Sequence, residues 1–174
     1  MIVRTLYAKR DPFHLKEDDE EILEPEVPYL SVIEALLYLA QCTRPDISFA
    51  VNLLARYSNA STRRHWNDVK DIFCYLKGTT DLGLFYTGES LSIVSPYSSQ
   101  IDSRLVGYTN AGYLFDPHRA RCQTGYVFTV GDTAISWRST KKTLVATLSN
   151  HAEILARHEA SLECFWLREV MEHI

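Results

Sequence analysis

The 174-residue chain predicts an α+β protein, in which a helical segment is followed by a sheet and closed by a long helix. Three observations predict it. Between residues 29 and 78, apolar side chains recur at helical spacing in three consecutive runs, the mark of amphipathic helices. The stretch GYVFTVGDTAISW alternates on both sides of Gly131-Asp132, which is a hairpin signal. From about Asn150 the helical period returns, with Ile154, Leu155, Leu162, Trp166, Val170 and Met171 on one side, and these six are expected to be buried.

The elements follow in order. Residues 1–28 hold Pro12, Pro25, Pro28 and the acidic cluster KEDDEEILEPE, a composition that reads as a flexible leader or one strapped onto another surface. Ser31 with Glu34 three residues later predicts a capping box, and Val32, Leu36, Leu39 and Ala40 follow on one face. Thr43-Arg44-Pro45 ends that helix and starts the next, whose stripe is Ile47, Ala50, Val51 and Leu54; proline suits a first turn. After a polar break at 58–62, a third helix is predicted from about Arg64 to Lys77. Trp66, Val69, Phe73 and Leu76 form its apolar face, and Gly78 stops it.

LGLFYT (82–87) alternates as a strand, which closes a helical domain over 29–87. The serine-rich residues 88–103 predict a linker, and 104–174 a second domain. Within it the expected strands are 105–110, 124–130, 133–138 and 143–148, with a loop at 113–123 and a basic turn at STKK.

Charge and cysteine content exclude several classes. Net charge is −4, and residues 1–26 account for all of it; the rest of the chain is balanced. A strongly basic face able to bind nucleic acid unaided is absent. Only 104–142 is locally basic, with six Lys/Arg against two Asp. The four cysteines, Cys42, Cys74, Cys122 and Cys164, form no C-x-x-C pair, so neither zinc-site spacing nor a disulfide framework is indicated. No signal-peptide-like run and no membrane-length apolar run occurs, so a cytoplasmic or nuclear protein with no membrane contact is expected.

Five stretches carry a resemblance: TRPDISFAVN, YLKGTTDLGLFY, CQTGYVF, AISWRS and SNHAEI, preceded by YLSVIEALLYLAQC and followed by EASLECFWLREV. In this order and spacing, over nearly the whole chain, they resemble the Pol polyprotein of copia-type LTR retrotransposons. The matching part is the end of the reverse transcriptase (thumb and connection), running into the start of the ribonuclease H domain. The resemblance implies a truncated ribonuclease H-like mixed sheet with a long C-terminal helix. The activity it implies is ancestral hydrolysis of RNA in RNA–DNA hybrids with Mg²⁺ or Mn²⁺. In the family, the strand segment Gly-Tyr-(Ser/Thr/Ala)-Asp-Ala supplies the first metal-ligating acid, and here Asn110 occupies that position. The helical acid matches Glu153. The third acid belongs to a strand expected beyond Ile174, and the polymerase Tyr-Val-Asp-Asp signature is absent.

Chemistry says what these differences imply. Two-metal phosphodiester cleavage needs a cluster of anionic oxygens, and an asparagine amide brings an oxygen without charge. Losing one electrostatic partner of a transition state costs roughly 3–4 kcal/mol in other sites. Glu153 is therefore expected to be vestigial, Asn110 to mark a lost ligand, and no metal or other cofactor to be bound. Each residue also has a structural role open to it: Asn150 and Glu153 as a helix cap and its partner, Asn110 and Asp116-Pro117 as turn formers. Arg63-Arg64-His65 would top a solvated helix end. His151 and His158, seven apart on one helix, lack a third ligand.

Two function classes follow: an inactive polyprotein remnant, or a retained binding module for protein or nucleic acid, since some effector-like proteins resemble the same segment. With part of the sheet missing, one edge is expected to be open and available to a protein partner.

Overall fold

The computed structural model describes residues 20, 22–24, 26–86, 105–116, 121–131, 133–142 and 148–173. Four helices and three strands form an α+β unit. They are α1 (Tyr29–Cys42), α2 (Ser48–Leu54), α3 (Arg63–Gly78), β1 (Leu105–Asp116), β2 (Arg121–Val130), β3 (Thr133–Lys141) and α4 (Ser149–Glu172). Short 3-10 turns, Pro45–Ile47 and Ala55–Tyr57, flank α2. Where a mixed sheet is expected, the described strands run antiparallel throughout in the order β1-β2-β3.

The helical layer has its own core. Tyr29, Ile33, Leu36, Ala40, Ile47, Val51, Leu54, Val69 and Ile72 are buried together, and the Tyr29 hydroxyl donates to the Leu54 carbonyl at 3.0 Å. Helix α1 starts two residues before Ser31, with Pro28 at the cap position and no side-chain cap. The expected Ser31–Glu34 box therefore does not form: it needs Ser31 at the non-helical cap position, and Ser31 is already the third residue of the helix. On α3 the buried face is His65, Val69 and Ile72, while Phe73 is exposed; the true stripe is turned from the predicted one. Residues 82–86 are not a strand. They run past the β2–β3 hairpin instead, with Phe85 accepting a hydrogen bond from Thr133 and Tyr86 donating to Ala134. Residue 87, the linker at 88–103 and the strand expected at 143–147 lie outside the described residues; Leu148 is a bend.

The hairpin forms where expected, with Gly131 at φ 60°, a left-handed conformation that glycine adopts at no steric cost. Both flanking strands are longer than predicted. β1 continues to Asp116 across an irregularity after Gly112, pairing Asp116 with Arg121, so most of the expected loop and the Asp116 turn are strand. Ser139, Thr140 and Lys141 belong to β3 rather than to a basic turn. Opposite Gly107, the Phe128 ring packs so closely that a Cβ there would collide with it.

Helix α4 covers one face of the sheet, with Ala160 and Leu167 on Tyr126 and Phe128, and Ala152 on Cys122 and Ala111. Its buried residues are Ala152, Ala156, Ala160 and Leu167. The predicted face is corrected: Ile154, Leu162, Trp166 and Met171 are exposed, together with Phe165. The rings of Tyr126 and Phe128 already fill the space between sheet and helix, so α4 approaches on its small side chains. The helical layer lies against the other face, where the Trp137 indole N–H donates to the Ala40 carbonyl at 2.8 Å and Arg56 donates to Gln123. The sheet is thus sandwiched between two helical layers.

Candidate functional site

Asn110 pairs with Gly125 in the middle of the β1–β2 ladder. Strand side chains alternate between faces, and Ala111 packs with Ala152 of α4. Asn110 therefore lies on the opposite face, that of the helical layer. It is exposed and borders a cleft of about 230 Å³ lined also by Pro45, Phe49, Tyr108, Trp137 and Arg138. No carboxylate lines this cleft among the described residues. Its chemistry is aromatic, with an amide at the rim.

Glu153 is on the other side of the sheet. It sits past the first turn of α4, whose cap position is Leu148 with no side-chain cap, so the expected Asn150–Glu153 cap is not formed. Its carboxylate lies 3.7 Å from Arg157, both side chains more than half exposed, a surface pair worth little. His151 and His158 are exposed on the same helix. The structure does not bring Asn110 and Glu153 together, and among the described residues no group of three His, Cys, Asp or Glu is placed to hold a metal ion. Cys42, Cys74, Cys122 and Cys164 are all free thiols.

The carboxylates of α4 that do reach the sheet are Glu159 and Glu163. Thr124 donates to Glu159 at 3.0 Å and Ser136 to Glu163 at 2.6 Å, and Lys142 pairs with Glu159. Burial, followed by the Arg138 charge, holds the Lys142 ammonium below its ordinary range. These groups fix helix to sheet. Sequence reading missed them because their signal, an acid at every fourth helical position, also describes a solvated face.

Arg44 was missed as well. It is buried, and its guanidinium grips Asp46 at 2.7 and 2.9 Å, donates to the Thr79 carbonyl and hydroxyl at 3.1 and 2.7 Å, and lies over the Tyr75 ring. The hydrogen bond from Arg44 holds the Asp46 carboxyl below the usual carboxylate range. Within TRPD, then, the arginine and aspartate are a clamp between the α1–α2 joint and the end of α3. His65, expected at a solvated helix end, is 1% exposed. Its Nδ1 accepts the Thr62 N–H at 3.1 Å, and its ring stacks on Tyr57 at 4.1 Å. Histidine thus serves here as the third-position partner of a threonine cap, a role the usual Ser/Thr-x-x-Glu/Gln pattern does not search for.

Fold and site together define an α+β unit whose layers are joined by Arg56–Gln123, Trp137–Ala40, Thr124–Glu159 and Ser136–Glu163. No family model matches the chain, and no solved structure matches it. Curated relatives do. The retrovirus-related Pol polyprotein from transposon TNT 1-94 of Nicotiana tabacum is 36% identical over 149 residues, 86% of this chain and 10% of that protein. The one from transposon RE2 of Arabidopsis thaliana is 33% identical over 147 residues, 84% of this chain and 9% of that protein. The secreted RxLR effector protein 161 of Plasmopara viticola is 35% identical over 141 residues, 81% of this chain and 92% of that protein. The chain belongs to the retrovirus-related Pol polyprotein family of copia-type transposons. It spans about a tenth of the length of the Pol relatives.

Proposed function

We propose that this chain is a remnant of the reverse transcriptase–ribonuclease H region of Pol. Its ancestral activity was hydrolysis of RNA in RNA–DNA hybrids, and the chain as it stands is inactive. The carrying observation is Asn110 where the family has its first acid, on the sheet face opposite Glu153. The residues present do not fit an ancestral Mg²⁺ or Mn²⁺ pair: one neutral amide and one surface carboxylate cannot offset the charge of two ions and a phosphate. The test is direct. Purified protein is incubated with a labelled RNA–DNA hybrid and Mg²⁺ or Mn²⁺, and no cleavage is expected; cleavage that Glu153→Gln abolishes would sink the reading.

A second reading, a retained non-catalytic binding module, is favoured by one observation. The chain matches 92% of the length of a protein named as a secreted effector, so this segment also occurs without the rest of Pol. An interaction role needs no acids. Among the described residues β1 and β3 are the edge strands, and such an edge is where a protein partner would add a strand.

A further inference from the structure

The outer side of α4 carries large apolar side chains that the fold does not use. Ile154, Leu162, Phe165 and Trp166 are each between 59% and 68% exposed, while the helix meets the sheet through Ala152, Ala160 and Leu167. At roughly 150–250 Å² for a side chain of this size, the four together leave about 500 Å² of apolar surface in water. A patch of a few hundred Å² on one molecule typically marks an interaction site.

The order of residues along this side says what covers it. His158, Leu162, Phe165 and Glu169 follow one another at four-, three- and four-residue steps, which keeps them on one seam of the helix. All four are exposed, and Ile154 and Trp166 flank the seam on its two sides. The pair Leu162 and Phe165 and the pair His158 and Glu169 share one midpoint, between residues 163 and 164. A two-fold axis through that midpoint lays α4 antiparallel on the α4 of a second copy. Leu162 then meets Phe165 twice at the centre, and His158 meets Glu169 twice outside them, as a self-complementary contact requires. An imidazole donates a hydrogen bond to a carboxylate in either charge state, and once protonated it adds an ion pair. The neighbouring charges are paired within the helix, Glu153 with Arg157 at 3.7 Å and Arg168 with Glu172 at 4.0 Å. A parallel pairing would set Glu169 on Glu169, and like charges facing each other repel. The seam complements its own reverse, which favours a copy of this chain over an unrelated apolar helix.

We propose that the exposed seam of α4 is a homodimer interface, with the two helices antiparallel about the point between residues 163 and 164. Two copies bury about 1,000 Å² of apolar surface, close to the lower bound for a specific interface. The dimer is therefore weak, with a dissociation constant on the order of 10–100 µM.

Sedimentation velocity of the full chain from about 1 µM to about 300 µM brackets that range, and a monomer–dimer equilibrium is expected. Leu162→Ser/Phe165→Ser should weaken association about tenfold or more, with the melting temperature of the dilute monomer unchanged. The charged pair tests the register independently, at exposed positions that folding does not need. His158→Glu sets Glu on Glu and should weaken the dimer about tenfold. His158→Glu/Glu169→Lys should restore it, a recovery that non-specific apolar sticking does not give. A chain that stays monomeric throughout overturns the proposal. So does a dimer that Leu162→Ser/Phe165→Ser leaves intact, which places the contact elsewhere, such as at the sheet edges. A dimer that ignores the charge variants, or that the double charge variant fails to restore, overturns it equally.

Discussion

His65 is a residue whose charge state the fold constrains tightly. Burial, helped by the Arg64 charge and opposed by Glu20, pushes its pKa down to about 4 from the ordinary 6.5. The neutral ring is the one that accepts from Thr62. Because the folded value lies below the unfolded one, the unfolded chain binds the extra proton. Stability is therefore full above pH 6.5 and is lost as pH falls towards 4, by roughly 3 kcal/mol at the lower end at 1.36 kcal/mol per unit. Chemical denaturation across that range should show the decline, and His65→Gln should flatten it while lowering stability at neutral pH. If the variant keeps the same pH slope, His65 is not its source. Arg44 makes the complementary case. Arg44→Ala strips Asp46 and Thr79 of their donor and should cost about 2–4 kcal/mol. Arg44→Lys should recover only part, because an ammonium cannot reproduce the planar fork; denaturant midpoints would decide.

At the scale of elements, α4 separates what a sequence reveals from what it hides. Its existence and length were legible from the helical period; its buried face was not. Two stripes run along it, one of large apolar residues and one of small ones, and periodicity alone favours the large. What decides is the volume on the sheet, where Tyr126 and Phe128 occupy the interlayer space and leave room for Ala160 and, further along, a single leucine, Leu167. Phe165→Ser and Trp166→Ser should therefore change stability by less than about 0.5 kcal/mol and reduce self-association, whereas Ala156→Leu should cost about 1–3 kcal/mol by overpacking. Thermal melts and light scattering of the three variants check both halves. The same blindness to partner surfaces explains Phe73 on α3 and the Ser31 cap, while the hairpin, set by local turn chemistry at Gly131, was read correctly. For the candidate site, the identities of Asn110 and Glu153 could be picked from motif position. Their separation by the sheet could not, since it depends on which face each layer covers.

Across the whole molecule, the two helical layers depend on the sheet between them. The Trp137–Ala40 and Arg56–Gln123 contacts join segments nearly a hundred and nearly seventy residues apart. Residues 105–174 expressed without 29–87 should then be insoluble, or show fast amide exchange across β1 to β3, because one sheet face loses its cover; a cooperative unfolding transition with slow exchange would refute this. The same geometry bears on restoration. Asn110→Asp alone should yield no hybrid cleavage and no Mg²⁺-dependent rise in melting temperature, since the new acid faces the helical layer and Glu153 the far side. A metal-dependent rise of several degrees would mean that the two residues share a site after all.

The contact between Gly107 and Phe128 carries a consequence for how such a chain ages. The side chain at position 110 is exposed, but at position 107 even one added carbon collides with a buried ring. Under the ancestral reading proposed above, selection on folding and selection on catalysis act at positions three residues apart on one strand. Among copies released from catalysis yet still required to fold, exchanges should accumulate at 110 long before any appear at 107. The ratio of changes at the two positions would then date the loss of chemistry separately from the loss of structure.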